Sequence, residues 1–169
     1  MTKSGSGAPA GWVDSEDYVY SVEPLPGSRP VLLDLLAYWE RKRGDRIMPT
    51  RADIDPLELK GHLGWLILVD VLPGLEDFRY RLVGTNIVHA VGRDSTGRTV
   101  RELYANTAAG YVSMTLKLFR LVAEEAQAVW TGGTLRVLGR GHRQFQTLML
   151  PLDTGDGAVG KILVEQRFF

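Results

Sequence analysis

The sequence contains no cysteine. Disulfide bonds, thiolate metal sites, cysteine nucleophiles and thiol-linked chromophores are therefore excluded. No disulfide bond is available to hold the fold together. A chain of 169 residues buries roughly 70% of the surface that its unfolded form exposes, which is enough for one apolar core. The length predicts a single domain.

The chain also lacks an excess of charge and a long apolar run. Its 20 basic and 20 acidic residues balance, which gives no general attraction to nucleic acid or to an anionic membrane. No apolar run approaches the roughly 20 residues that a membrane helix needs. Residues 1–11 are small and polar, unlike a signal peptide. We expect a soluble cytoplasmic protein with no nucleic-acid or membrane partner.

The pattern of the remaining sequence predicts an α+β fold. A Gly-, Ser- and Pro-rich start predicts a flexible arm over residues 1–28, followed by a single domain over residues 29–169. An amphipathic helix opens that domain and ends at Arg43. The predicted strands are 66–72, 78–84, 134–140, 144–152 and 158–168, and the helices between them are 85–91, 100–104 and 108–129. This order predicts a five-stranded antiparallel sheet with helices over one face.

Four segments carry a resemblance to a known family. They are residues 38–56 (YWERKRGDRIMPTRADIDP), 78–88 (FRYRLVGTNIV), 92–103 (GRDSTGRTVREL) and 148–152 (LMLPL). In this order they resemble a bacterial PAS-like domain family (the PAS_5 type), whose members are mainly alphaproteobacterial. The resemblance implies a PAS-like fold and a sensory or regulatory role. It implies no shared reaction.

The resemblance also bears on cofactors. Haem-binding PAS domains take an axial histidine from the long helix before the third strand, and the predicted helix 108–129 contains none. Light-sensing flavin domains need a cysteine beside the flavin ring. We therefore expect neither haem nor a cysteine-linked chromophore, which leaves an unidentified small ligand as the alternative.

Two aspartates and three histidines are the candidates for metal binding or acid–base chemistry. Asp55 stands before Pro56, which is the pattern of a helix N-cap, and Asp53 is expected to close a turn or pair with a base. His62, His89 and His142 match no metal-binding spacing. We therefore predict no metal site and no catalytic residue.

A pocket between sheet and helices is the site that the resemblance implies. The residues expected to line it are Tyr80, Leu82, His89, Met114, Leu118, Phe145 and Met149. They form a mostly apolar set with a few polar groups, as ligand pockets do. The same set is equally compatible with a filled core.

The first helix is the candidate for contacts with a second copy or another partner. Leu32, Leu35, Leu36 and Trp39 form an apolar stripe that exceeds what a minimal PAS core needs. We predict a homodimer built on this stripe. The alternative is that the stripe packs within its own chain.

These observations predict a stand-alone sensory domain that binds a small ligand or a separate signalling protein and responds through conformational or dimer contacts. The first alternative is a docking or dimerisation module with a filled core. The second is a small α+β enzyme that uses His89 with an acidic neighbour.

Overall fold

The computed structural model describes residues 18–106, 109–135 and 140–169. The strands are β1 (Tyr18–Ser21), β2 (Leu66–Val71), β3 (Phe78–Val83), β4 (Val129–Leu135), β5 (Arg140–Asp153) and β6 (Val159–Phe168). The helices are α1 (Pro30–Arg43), α2 (Thr85–Val91), α3 (Val100–Leu103) and α4 (Ala109–Glu125). Four short 3-10 turns occupy Arg51–Asp53, Pro56–Leu59, Leu63–Trp65 and Pro73–Leu75.

The strands form one antiparallel sheet in the order β1-β4-β5-β6-β2-β3. The prediction of five strands is wrong, because the sheet has six. The sixth, β1, lies in the segment that was assigned to a flexible arm, and it pairs with β4 from Tyr18↔Gly133 to Ser21↔Trp130. Residues 1–17 of the predicted arm lie outside the described residues. A four-residue strand is too short to show a clear alternating pattern.

Both faces of the sheet are covered, because α2, α3 and α4 lie on one face and α1 lies on the other. We call the face under α2, α3 and α4 the inner face and the opposite one the outer face. Helix α1 packs on the outer face, where Trp39 Nε1 donates to the carbonyl of Pro151 at 2.9 Å. Consecutive residues of β5, including Leu148, Met149 and Leu150, are buried. Burial of consecutive strand residues requires cover on both sides.

The boundary between α4 and β4 also differs from the prediction. The helix ends at Glu125 because Ala126 adopts a left-handed conformation (φ 49°) and its N–H bonds to the carbonyl of Val122 at 3.0 Å. Strand β4 then begins at Val129 and runs through Gly132, although the strand was predicted to begin only at residue 134. A Cβ on Gly132 would lie 3.2 Å from the Leu25 side chain, so glycine here permits a close approach to the chain before α1. Strand β5 starts at Arg140, so residues 141–143 belong to it, although a turn was predicted there.

The turn-forming roles of the two aspartates are confirmed. Asp55 accepts a hydrogen bond from the N–H of Leu57 at 2.9 Å, with Pro56 opening the next 3-10 turn. Asp53 completes a capping box with Thr50 and pairs with Arg46 at 2.9 Å. These contacts lower the pKa of Asp53 from its usual value, chiefly through the Thr50 hydrogen bonds. Both carboxylates hold the loop that connects α1 to β2.

Candidate functional site

A cavity of about 90 Å³ lies between the inner face of the sheet and helices α2 to α4. The sheet contributes Tyr80 from β3 and Phe145 and Met149 from β5, while α4 contributes Met114 and Leu118. These are five of the seven residues that the sequence placed in a pocket. The alternation of β3 and β5 and the helical spacing of α4 bring them together from distant parts of the chain.

Leu82 is placed elsewhere by a β-bulge. The pairing of β2 with β3 shifts between Leu68↔Leu82 and Val69↔Tyr80, which leaves Arg81 as an extra residue. The extra residue reverses the alternation, so Val83 lines the cavity and Leu82 turns to the outer face with 52% of its surface exposed. Strict alternation from Phe78 onward predicted the opposite.

His89 does not reach the cavity either. It lies on α2 between Ile87 and Val91, which stand one turn apart and line the cavity. The His89 side chain is exposed. Among the described residues it has no carboxylate partner, so the acid–base pair that the enzyme alternative required is not formed.

Three further tyrosines, Tyr18, Tyr104 and Tyr111, line the cavity beside Tyr80 and were not among the predicted pocket residues. The rings of Tyr104 and Tyr111 contact each other edge to face, with centroids 4.6 Å apart. Burial raises the pKa of Tyr80 and of Tyr111 well above the usual range, and the neighbouring Tyr104 raises both further. These phenols therefore stay neutral and can donate or accept hydrogen bonds.

One polar group of the cavity wall is left without a protein partner. The Thr147 side chain, 3% exposed, lines the cavity, and within the described part of the chain its hydroxyl has no hydrogen-bond partner. Two other threonines of the wall are satisfied: Thr115 donates to the carbonyl of Tyr111 and Thr131 to that of Val19, both at 2.9 Å. An unpaired buried hydroxyl costs roughly 1–3 kcal/mol. A ligand atom that bonded to it would recover part of that cost.

The proposed dimer stripe is mostly used within the chain. Leu32, Leu35 and Trp39 are buried, and Leu36 is half-buried. This is the intrachain packing that the sequence left open as the alternative. The homodimer stays a prediction. These four residues do not form an exposed apolar surface on which a second copy could pack.

A buried ionic cluster lies on the outer face. Glu165 of β6 is fully buried and accepts a hydrogen bond from Arg167 Nε at 2.7 Å. His62 Nδ1 lies 2.7 Å from the other carboxylate oxygen. The Arg167 guanidinium lies over the Trp65 ring, 4.9 Å from its centroid. The cluster fixes the 3-10 turns before β2 to the sheet.

Neither a metal site nor a membrane span is found within residues 18–106, 109–135 and 140–169. No group of three or more His, Asp or Glu side chains there is arranged to hold a metal ion. None of the helices in those ranges is both long and apolar enough to cross a membrane. The His142 side chain is not among those that the structure describes.

The solved structures that are similar to this chain include the following three. A domain of an HTR-like protein from Haloarcula marismortui ATCC 43049 matches 62% of this chain and 95% of its own, with 13% identity and a TM-score of 0.44. An RNA-binding light-oxygen-voltage receptor matches 94% of this chain and 39% of its own, with 18% identity and a TM-score of 0.46. A light-oxygen-voltage domain studied with a flavin analogue matches 70% of this chain and 87% of its own, with 17% identity and a TM-score of 0.44. Sequence identities and TM-scores this low support no conclusion about function. RNA binding is a property of the second of these proteins only.

The family is established by a different comparison. No curated protein matches the chain. A family model described as a PAS domain (PAS_5) matches residues 28–164. That range covers most of the sequence and confirms the resemblance carried by the four sequence segments. The chain therefore belongs to the PAS domain family.

Proposed function

We propose that this PAS domain is a sensor that receives a small molecule in the inner cavity. The observation that carries the proposal is the Thr147 hydroxyl, which is buried in the wall of a mostly apolar cavity without a hydrogen-bond partner among the described residues. Buried hydroxyls are usually paired, so an unpaired one in a cavity wall calls for an explanation, and a bound ligand supplies one. The cavity supplies apolar contacts from Met114 and Met149 and neutral donors from the tyrosines.

The size of the cavity limits what enters it. About 90 Å³ corresponds to roughly three water molecules at about 30 Å³ each. Pockets for drug-sized ligands are about 300–1,000 Å³. The ligand is therefore small, or it enters by displacing α4 from the sheet.

Strand β5 provides a route from the cavity to the outer face. Met149 faces the cavity, and the carbonyl of Pro151, two residues further on, accepts the hydrogen bond of Trp39 on α1. If β5 can adopt two positions, a ligand that binds more tightly to one of them shifts the population toward it. The position of α1 on the outer face then changes with that of β5. The ligand can shift this equilibrium only by its difference in affinity for the two states.

The signal passes to a separate protein or a second copy of the chain in this proposal, and the domain performs no chemistry itself.

An observation also favours the docking alternative. Leu57, Leu63 and Leu82 are exposed on the outer side, where an apolar pocket lies between the 3-10 turns and β2. This surface is the place where a docking partner would bind if the inner cavity receives nothing.

A matched pair of substitutions on α4 tests the sensor proposal. Leu118 lines the cavity, whereas Leu116 is equally buried on the same helix but does not line it. Leu118→Phe should occupy the void and cost under about 1 kcal/mol of unfolding free energy. Leu116→Phe should overpack the core and cost about 1–3 kcal/mol. Urea denaturation measures both.

The same pair separates sensing from docking. A thermal-shift screen of small acids, amides, alcohols and phenols should give compounds that raise the melting temperature of the wild type, since binding to the native state stabilises it. These shifts should disappear in Leu118→Phe and persist in Leu116→Phe. Equal shifts in both variants would place the compounds outside the cavity and reject the sensor proposal.

A further inference from the structure

The charge around the inner cavity has one sign. Arg93 is the only charged residue in the described wall, and none of the described lining residues is Asp or Glu. Its guanidinium lies 5.7 Å from the centroid of the Tyr104 ring. In the described part of the chain it forms no ion pair with a carboxylate. An exposed cation that also lines the cavity stands at the cavity mouth.

Much of the cavity wall is apolar. Met114, Leu118, Phe145 and Met149 line it together with the three threonines described above. An apolar cavity of about 150 Å³ accommodates benzene, so a volume of about 90 Å³ suits an aliphatic chain of three or four carbons better than an aromatic ring. A group at the mouth can interact with Arg93 while this chain fills the interior.

We propose that the ligand is a short aliphatic monocarboxylate of about four or five carbons, with its carboxylate at Arg93 and the neighbouring tyrosine hydroxyls and its chain against the methionines. Arginine is suited to this role because its planar guanidinium matches the geometry of a carboxylate. A phosphate ester is disfavoured, since it would bring more charge than one arginine balances and more volume than the cavity offers. This inference rests on the proposed sensor function.

The test compares matched ligands and matched variants. The protein carries ¹³C-methyl methionine and is titrated with butyrate, with its neutral counterpart butyramide, and with benzoate. Met114 and Met149 report the cavity. Arg93→Gln removes the cation, and Arg98→Gln is the control, because Arg98 lies on the same turn, is exposed and does not line the cavity. Since Arg93 is exposed too, neither change should impair folding.

Butyrate should bind the wild type at least about tenfold more tightly than butyramide does, as a charge-assisted hydrogen bond allows. Arg93→Gln should abolish that preference, Arg98→Gln should keep it, and benzoate should bind more weakly than butyrate. Equal binding of butyrate and butyramide would overturn the carboxylate assignment while supporting the sensor. An equal loss in both arginine variants would show general attraction and also overturn it. If no acid moves the two methionine signals but neutral compounds do, only the ligand class is wrong.

Discussion

Replacing Glu165 with alanine should lower the free energy of unfolding by roughly 3–5 kcal/mol, as removal of one partner from a buried ion pair does. The Glu165 carboxylate is fully buried and holds both Arg167 and His62. Without it, the Arg167 side chain, only 18% exposed, keeps its charge with no carboxylate beside it. Urea denaturation followed by tryptophan fluorescence measures the loss.

Two further variants control this experiment. Glu124→Ala removes an exposed carboxylate from α4 and should change stability by less than about 0.5 kcal/mol. The double variant Glu165→Leu, Arg167→Met replaces the ion pair with apolar side chains and should recover most of the stability lost by Glu165→Ala. A Glu165→Ala protein as stable as Glu124→Ala would show that the cluster does not hold the fold.

Replacing Gly84 with alanine should cost about 3 kcal/mol or more, at the upper end of what overpacking does. A Cβ at this position would lie 2.3 Å from the carbonyl oxygen of Gly64 and 2.7 Å from that of Leu63. These are backbone atoms, so the clash is relieved only by separating the turn before β2 from the start of α2. Thermal or chemical unfolding measures the cost.

Gly61→Ala is the matched control, because this glycine lies in the facing segment before β2 and its Cβ would have nothing within 4 Å. It should leave stability unchanged or raise it slightly, since alanine reduces the freedom of the unfolded chain. If Gly84→Ala and Gly61→Ala are equally stable, the close packing of the two segments is not present in solution. If the two variants differ in stability as expected, close packing against residues 63 and 64 explains why glycine stands at position 84.

The sequence predicted the elements better than their arrangement. Strands 66–72 and 158–168 lie within about a residue of β2 and β6, because their apolar runs end at clear turn signals. The tyrosine and methionine positions of the cavity that were predicted followed from alternation and helical spacing. Leu82 was misplaced because a bulge depends on pairing with β2, which one strand's sequence does not contain.

Contacts between residues that are far apart in the sequence could not be predicted from local patterns. His62 and Glu165 are 103 positions apart, and each occurs in a segment with an ordinary local explanation. Arg93 was not among the residues predicted to line a pocket, although its position at the cavity is what gives the site its charge. The contact between His62 and Glu165 depends on the order of strands in the sheet, in which β6 pairs with β2 across a long stretch of sequence.

The buried ionic cluster and the cavity share strand β6. Val164 and Gln166 line the cavity on the inner face, while Glu165 and Arg167 point to the outer face. A displacement of β6 by a ligand would therefore be resisted by the cluster. This arrangement makes β5, which bonds to α1 at its far end, the strand through which we expect the response to travel.

Methyl NMR of the four methionines shows whether a small molecule enters the space between the inner face and α4. Met114 and Met149 line the cavity, whereas Met48 is buried but does not line it and serves as an internal control. During titration with acids, amides, alcohols and phenols of up to about eight non-hydrogen atoms, a size set by the small cavity, we expect saturable shifts of Met114 and Met149 with Met48 unmoved. If every compound leaves the signals of both cavity methionines unmoved, or shifts that of Met48 equally, a small molecule does not enter this space.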